Sequence, residues 1–270
     1  MIIYYSATGN TEFIAKELAS RLGDNCLNIL DYVKRDIPLE VSSETPFILC
    51  CPVYICAIPV FLVDFFRKMR LSGNKNLYFV FTSAGYAGMS ANIGKHIARK
   101  LGLKFLGGAE FHMPRNYVVS GHYPPNTEDE IKDRLLTSYK KLDQVSEAIR
   151  KGQKIKERHV WLFEKIIINP VVPLWTKYMY KTAPFYVTDA CIGCKKCENN
   201  CPLNVVSLKD GKPVWTKKTC TFCMSCIQNC PVRAIEYKDR TENKPRYTFG
   251  KYKKIIEQAK EGEAKGGGSV

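Results

Sequence analysis

The chain has 270 residues, with 41 Lys and Arg against 26 Asp and Glu, a formal charge of +15, and 12 cysteines. That length exceeds a small disulfide-stapled scaffold and suits two modest domains. Hydrophobic residues at 45% and charged residues at 25% exclude wholesale disorder.

No run of eighteen apolar residues occurs, so no spanning helix is expected. The N-terminus lacks the basic start, apolar centre and small-residue cleavage site of a signal peptide. A cytoplasmic protein is expected on these grounds, with thiols kept reduced and clustered cysteines read as metal ligands.

Residues 1–6 form a short apolar run, and 12–22 carry helical periodicity through Phe13, Ile14, Leu18 and Leu22. Residues 26–30 and 46–51 read as strands, 59–70 as helix, 77–82 as strand, 90–101 as helix, 103–113 as strand and 127–151 as helix. Five strands interleaved with helices predict an α/β fold, a parallel sheet covered on both faces. Ligands of such sheets sit at the carboxyl ends of the strands, near the point where strand order reverses.

The loop after the first strand is Ser6, Ala7, Thr8, Gly9, Asn10 and Thr11, opening directly into a helix. Three hydroxyls, an Asn and a permissive Gly allow backbone N–H groups to converge on an anion. A helix cap needs one such residue, not four. The loop has no Lys or Arg and is neither G-x-G-x-x-G nor a Walker A sequence.

S-x-T-G-N-T after an N-terminal strand resembles the phosphate loop of flavodoxins, which implies FMN. On that resemblance the loops after strands three and four would sandwich the flavin ring. The first offers Pro52, Val53 and Tyr54, and the second Thr82, Ser83, Ala84, Gly85, Tyr86 and Gly88. Tyr54 and Tyr86 are the stacking candidates. Residues 52–59 lack the Gly whose peptide flip stabilises one-electron-reduced flavin in flavodoxins, so that property does not carry over. A further loop, Met113 to Tyr117, leaves the same sheet edge and is placed to close the flavin's rim or receive a partner.

Residues 155–184 are rich in apolar and aromatic side chains, and Pro170 and Pro173 are expected to break any long helix there. Glu164, Lys165 and Asn169 interrupt the apolar run. The stretch is therefore read as packing across two domains rather than lying on a membrane surface.

Eight cysteines fall between 191 and 230, in two runs of the form C-x₂-C-x₂-C-x₃-C-P. The first is Cys191, Cys194, Cys197 and Cys201, and the second is Cys220, Cys223, Cys226 and Cys230, each 29 residues after its counterpart. This is the spacing of a two-cluster bacterial ferredoxin, in which the fourth cysteine of each run serves the other cluster. One [4Fe–4S] cluster is thereby assigned to Cys191, Cys194, Cys197 and Cys230, and the other to Cys220, Cys223, Cys226 and Cys201. Zinc would use two C-x₂-C pairs and leave the third cysteine and the C-P ending unexplained.

Segment 185–238 resembles a bacterial-type ferredoxin domain, and the whole chain resembles the flavodoxin–ferredoxin fusion proteins of anaerobic bacteria and archaea. The expected organisation is a flavodoxin-like domain over 1–154, an apolar interdomain segment over 155–184, a ferredoxin domain over 185–238 and a basic polar tail over 239–270. Gly266 to Val270 is read as disordered or as an appended remnant.

The resemblance implies electron transfer between two clusters and FMN. It leaves two classes open: a carrier between redox proteins, or a ferredoxin-dependent reductase of a quinone, flavin or corrinoid. The absence of G-x-G-x-x-G indicates no separate nicotinamide site. The positive excess is spread along the chain, and no nucleic-acid-binding motif stands out. The charge is read instead as a docking surface for an acidic ferredoxin- or flavodoxin-type partner.

Overall fold

The computed structural model describes residues 1–121 and 123–266. Strands β1 (Ile2–Tyr4) and β2 (Cys26–Asn28) flank helix α1 (Asn10–Leu22), and α2 (Leu30–Arg35) follows. Then come β3 (Glu40–Ser43), β4 (Phe47–Pro52), α3 (Val60–Lys68), β5 (Arg70–Gly73), β6 (Asn76–Ser83), α4 (Ser90–Lys100), β7 (Lys104–His112) and α5 (Glu128–Arg150).

The main sheet is parallel throughout, in the order β2-β1-β4-β6-β7. Phe47–Pro52 and most of β6 are fully buried, as expected of strands covered on both faces. One apolar cluster lies between the sheet and α1 and α5, and another between the sheet and α3 and α4. The order reverses between β1 and β4, so the loops after β1, β4 and β6 open at one end of the sheet. The small β3–β5 pair and α2, which the sequence patterning does not single out, sit outside this sheet.

Helix α6 spans Leu162–Met179 and carries Pro170 and Pro173 within it, so the expected break does not occur. A proline removes one N–H and leaves one carbonyl unpaired, which a helix tolerates on a solvent-facing side. The expected packing across two domains is also overturned for most of this segment. Leu162, Phe163, Ile166, Ile167, Val171, Leu174, Trp175, Tyr178 and Met179 are all exposed, Leu162 by 70% and Ile166 by 66%. At 100° per residue they wind along the helix as one broad outward stripe, about 260° wide, with the buried Val172 on the opposite side. Val172 packs inward at mid-helix, and the ends are fastened. Arg158 pairs with Glu164 and lies over the Tyr86 ring, and Tyr180 stacks on Phe222 at 4.3 Å.

The remainder is a small repeat. Strands β8 (Phe185–Val187) and β11 (Ile235–Tyr237) pair antiparallel, as do β9 (Val206–Lys209) and β10 (Lys212–Trp215). Between them lie the one-turn helices α7 (Lys196–Asn199) and α8 (Ser225–Gln228). The 29-residue period extends to the backbone. Positive φ recurs at Gly193 and Phe222, Lys195 and Met224, and Asn204 and Arg233.

The segment after 239, expected as a polar tail, is instead folded onto the α/β unit. Helix α9 (Phe249–Gly266) packs against α5, and Phe249 stacks on Phe13 with ring centres 4.4 Å apart. Phe249, Tyr252, Ile256 and Ala259 line its inner face at helical spacing, a pattern legible in the sequence but masked by the lysines between them. Residues 267–270 lie outside the described residues.

Candidate redox site

The loop after β1 turns into α1 through Gly9, which sits at φ 94°. That conformation favours glycine, and a Cβ there would approach the Phe249 Cβ to 2.9 Å. The Gly9 N–H donates to the Ser6 Oγ at 3.1 Å and tightens the turn. Thr8, Asn10 and Thr11 are buried. The first turn of α1 leaves backbone N–H groups without intrahelical acceptors.

The loop is braced from three sides. Asn116 donates to the Thr8 hydroxyl at 2.9 Å, and Asn10 donates to the Pro114 carbonyl at 3.0 Å. The Tyr247 hydroxyl donates to Asn10 Oδ1 at 2.7 Å, and the Phe249 N–H to the Thr8 carbonyl at 2.9 Å. The Thr11 and Thr82 hydroxyls are 2.7 Å apart. One proton satisfies that contact, so one O–H of the pair is left to donate elsewhere, and the Thr8 hydroxyl likewise retains its proton. Donors without any carboxylate suit a phosphate.

The loops after β4 and β6 interlock. Tyr54 and Ala57 exchange backbone hydrogen bonds across a turn in which Ile55 and Cys56 have positive φ. The Cys56 carbonyl accepts from the Met89 N–H at 2.7 Å. Gly88, at φ 53°, passes so close that a Cβ would lie 2.1 Å from the same carbonyl. Val53 donates to the Thr82 carbonyl, Gly85 to the Ser83 hydroxyl, and Arg134 to the Ala84 carbonyl. Pro52 and Thr82 are partners across β4 and β6, which ties the two loops together at their base.

Tyr86 carries the Arg158 guanidinium 4.7 Å from its ring centre. The Tyr54 and Ser90 hydroxyls are buried with no hydrogen-bond partner among the described residues. Orphaned polar groups of this kind fit a loop set shaped around a ligand.

The cysteines surround two cavities. One is lined by Cys191, Cys194, Cys197 and Cys230 with Ile192, Leu208, Pro213, Val232 and Ile235. The other is lined by Cys220, Cys223, Cys226 and Cys201 with Phe185, Val206, Trp215, Phe222 and Met224. Each quartet combines three cysteines of one run with the fourth of the other. The Val205 N–H donates to Cys201 Sγ and the Ala234 N–H to Cys230 Sγ, both at 3.2 Å, the same contact in each repeat.

Among the described residues no three His, Cys, Asp or Glu converge closely enough to grip a single metal ion. Sulfurs spread around a chamber fit a larger inorganic cluster better. Burial pushes the Cys197 and Cys223 thiols up to about 11, so a bound cation would have to displace protons from them.

The two cavities are not equivalent. The first faces outward, with Cys194 exposed and Lys195 and Lys196 in its lining, while the neighbouring Lys212 is paired with Asp189 at 2.8 Å. The second is walled by stacked Phe185 and Trp215 and turned toward the α/β unit. There Ser225 Oγ and Asn229 Nδ2 both donate to the Ala7 carbonyl at 3.0 Å, and Gln228 donates to the Asn116 carbonyl. The Tyr5 and Tyr54 hydroxyls are pushed well above the usual phenol range, by burial first and then by the neighbouring Cys223. Cys223 therefore lies beside the ends of both β1 and β4. The loop from Met113 to Tyr117 closes over this junction.

Residues 190–235 match the 4Fe-4S dicluster domain family. The chain carries an iron–sulfur domain. No curated protein matches the chain. Among solved structures it is similar to a putative flavoprotein from Bacteroides eggerthii, at 20% identity and TM-score 0.32, covering 51% of this chain and 95% of that one. The two-electron-reduced flavodoxin of Megasphaera elsdenii aligns at 17% identity and TM-score 0.33, over 56% of this chain and 99% of that one. A flavoprotein from Lactobacillus acidophilus in complex with FMN aligns at 20% identity and TM-score 0.27, over 40% and 90%.

Sequence reasoning missed Tyr5, Arg158, Ser225, Gln228, Asn229 and Tyr247. Asn229 has the same repeat position as Asn200, so spacing alone does not separate the residue that braces the loop from its counterpart. Tyr5 was within reach of sequence reasoning, since it directly precedes the loop at the end of the first apolar run.

Proposed function

We propose that this chain is an iron–sulfur flavoprotein, a carrier that moves electrons between two [4Fe–4S] clusters and FMN and links redox partners. The observation that carries the reading is the pair of hydrogen bonds from Ser225 and Asn229 to Ala7, which seats the second cysteine repeat on the anion loop. The flavin would exchange electrons singly or in pairs, and each cluster one at a time.

Ser6, Thr8, Thr11 and the first-turn N–H groups of α1 would hold the FMN phosphate, and the loops bearing Tyr54 and Tyr86 the ring. The outward quartet would be the port for partners and the inward quartet the relay. Lys195 and Lys196 around the port suit an acidic partner. Arg158 over Tyr86 covers one side of the ring loops, which favours a carrier over the alternative of a substrate reductase.

Purification without oxygen, followed by iron, sulfide and flavin analysis, tests the reading. About eight irons and one FMN per chain are expected. Zinc in their place, or no flavin, would refute it.

A further inference from the structure

The outward stripe of α6 is an anomaly for a protein surface. It runs roughly 25 Å at 1.5 Å per residue, is apolar and aromatic along its length, and bears no acidic side chain. The helix's one carboxylate, Glu164, is neutralised by Arg158, and Glu157 precedes the helix beside Lys156. Cations cluster at both ends: Lys154 and Lys156 before the helix, and Lys177 and Lys181 at its close. Lys217 and Lys218 adjoin the latter pair, because Thr182 bonds to both of their carbonyls.

We infer that α6 seats the protein on an anionic lipid surface, its stripe entering the headgroup boundary and its terminal lysines meeting the lipid phosphates. No helix of the described residues is long and apolar enough to cross a membrane, so the contact is in-plane. Trp175 and Tyr178 on the stripe combine an apolar body with a polar edge, the side chains that settle at a lipid–water boundary. Charge disfavours a second copy of this chain as the occupant, since helix pairing in either direction sets lysine-rich ends against each other. An acidic redox protein is already served by the lysines around the outward cysteine cavity, and it has no need of an uncharged stripe. The inference is independent of the cofactors.

Vesicle flotation of the intact protein tests it, using phosphatidylcholine with and without phosphatidylglycerol. Binding is expected only with the anionic lipid, weakening as salt is raised. Ile166→Asp with Leu174→Asp abolishes it while iron content and far-UV circular dichroism stay unchanged, because both side chains face solvent. Lys177→Gln with Lys181→Gln weakens partitioning about twenty-five-fold, at roughly fivefold per lysine. Failure to float with anionic vesicles overturns the inference, as does flotation that survives the aspartates. So does a dimer in sedimentation that the same aspartates convert to monomer, since the stripe would then be a protein interface.

Discussion

The proposed exchange of the fourth ligand between the cysteine runs is tested by pairs of substitutions. Cys191 and Cys230 line one cavity, whereas Cys191 and Cys201 belong to one run but to different cavities. Cys191→Ala alone is expected to lower iron from about eight to about four per chain. Adding Cys230→Ala damages a site already lost, so the count stays near four. Adding Cys201→Ala instead strikes the second cavity, and the count falls toward zero.

The two double variants differ by about four irons although each removes two thiols, a non-additivity that reports shared membership of a site. The single variants Cys191→Ala and Cys230→Ala should leave the same EPR spectrum on reduction, and Cys220→Ala and Cys201→Ala the other. The inward cavity is also enclosed by Phe185, Trp215 and Phe222, so losing its contents should lower the melting temperature more than losing those of the outward one. Iron retained at about four in the Cys191→Ala/Cys201→Ala protein would refute the exchange and place each run around its own site.

Four further outcomes follow from the geometry. Arg246 is almost fully buried against Glu236 at 2.5 Å, so Arg246→Ala leaves an uncompensated carboxylate and should cost about 3–5 kcal/mol in chemical denaturation. Gly88→Ala sets a Cβ against the Cys56 carbonyl and should lower flavin affinity about tenfold by equilibrium dialysis, with iron content unchanged.

The Arg158 guanidinium holds the Glu164 carboxyl at about 2, below its usual 4.5. Because the folded value is depressed, the contribution of this pair to stability is complete above 4.5 and is lost as pH falls through about 2. An NMR titration should place the Glu164 midpoint near 2, and Arg158→Gln should return it toward 4.5. Finally, reduction by an acidic ferredoxin should slow as salt is raised from low to physiological strength, whereas a flat stopped-flow profile would remove the docking role of Lys195 and Lys196.

The sequence by itself determined the parts of this protein that are written as local pattern. The 29-residue cysteine repeat, the run from Ser6 to Thr11 and the five apolar strand segments each occupy a short window, and their chemistry depends on spacing that the chain cannot lose on folding. The tertiary structure decided whatever depends on which surfaces meet. Two nearly identical cysteine runs became an outward and an inward cavity only because Ser225, Gln228 and Asn229 face the anion loop while Lys195, Lys196 and Asn200 do not.

Composition alone pointed the wrong way twice. The lysine-rich stretch after 239 is a docked helix, because one face of it is apolar at helical spacing. A strongly apolar segment, 161–179, is left bare, because most of its apolar side chains face away from both units. Hydrophobicity says that a surface must be covered, and only the packing says whether this chain covers it or leaves it for something else.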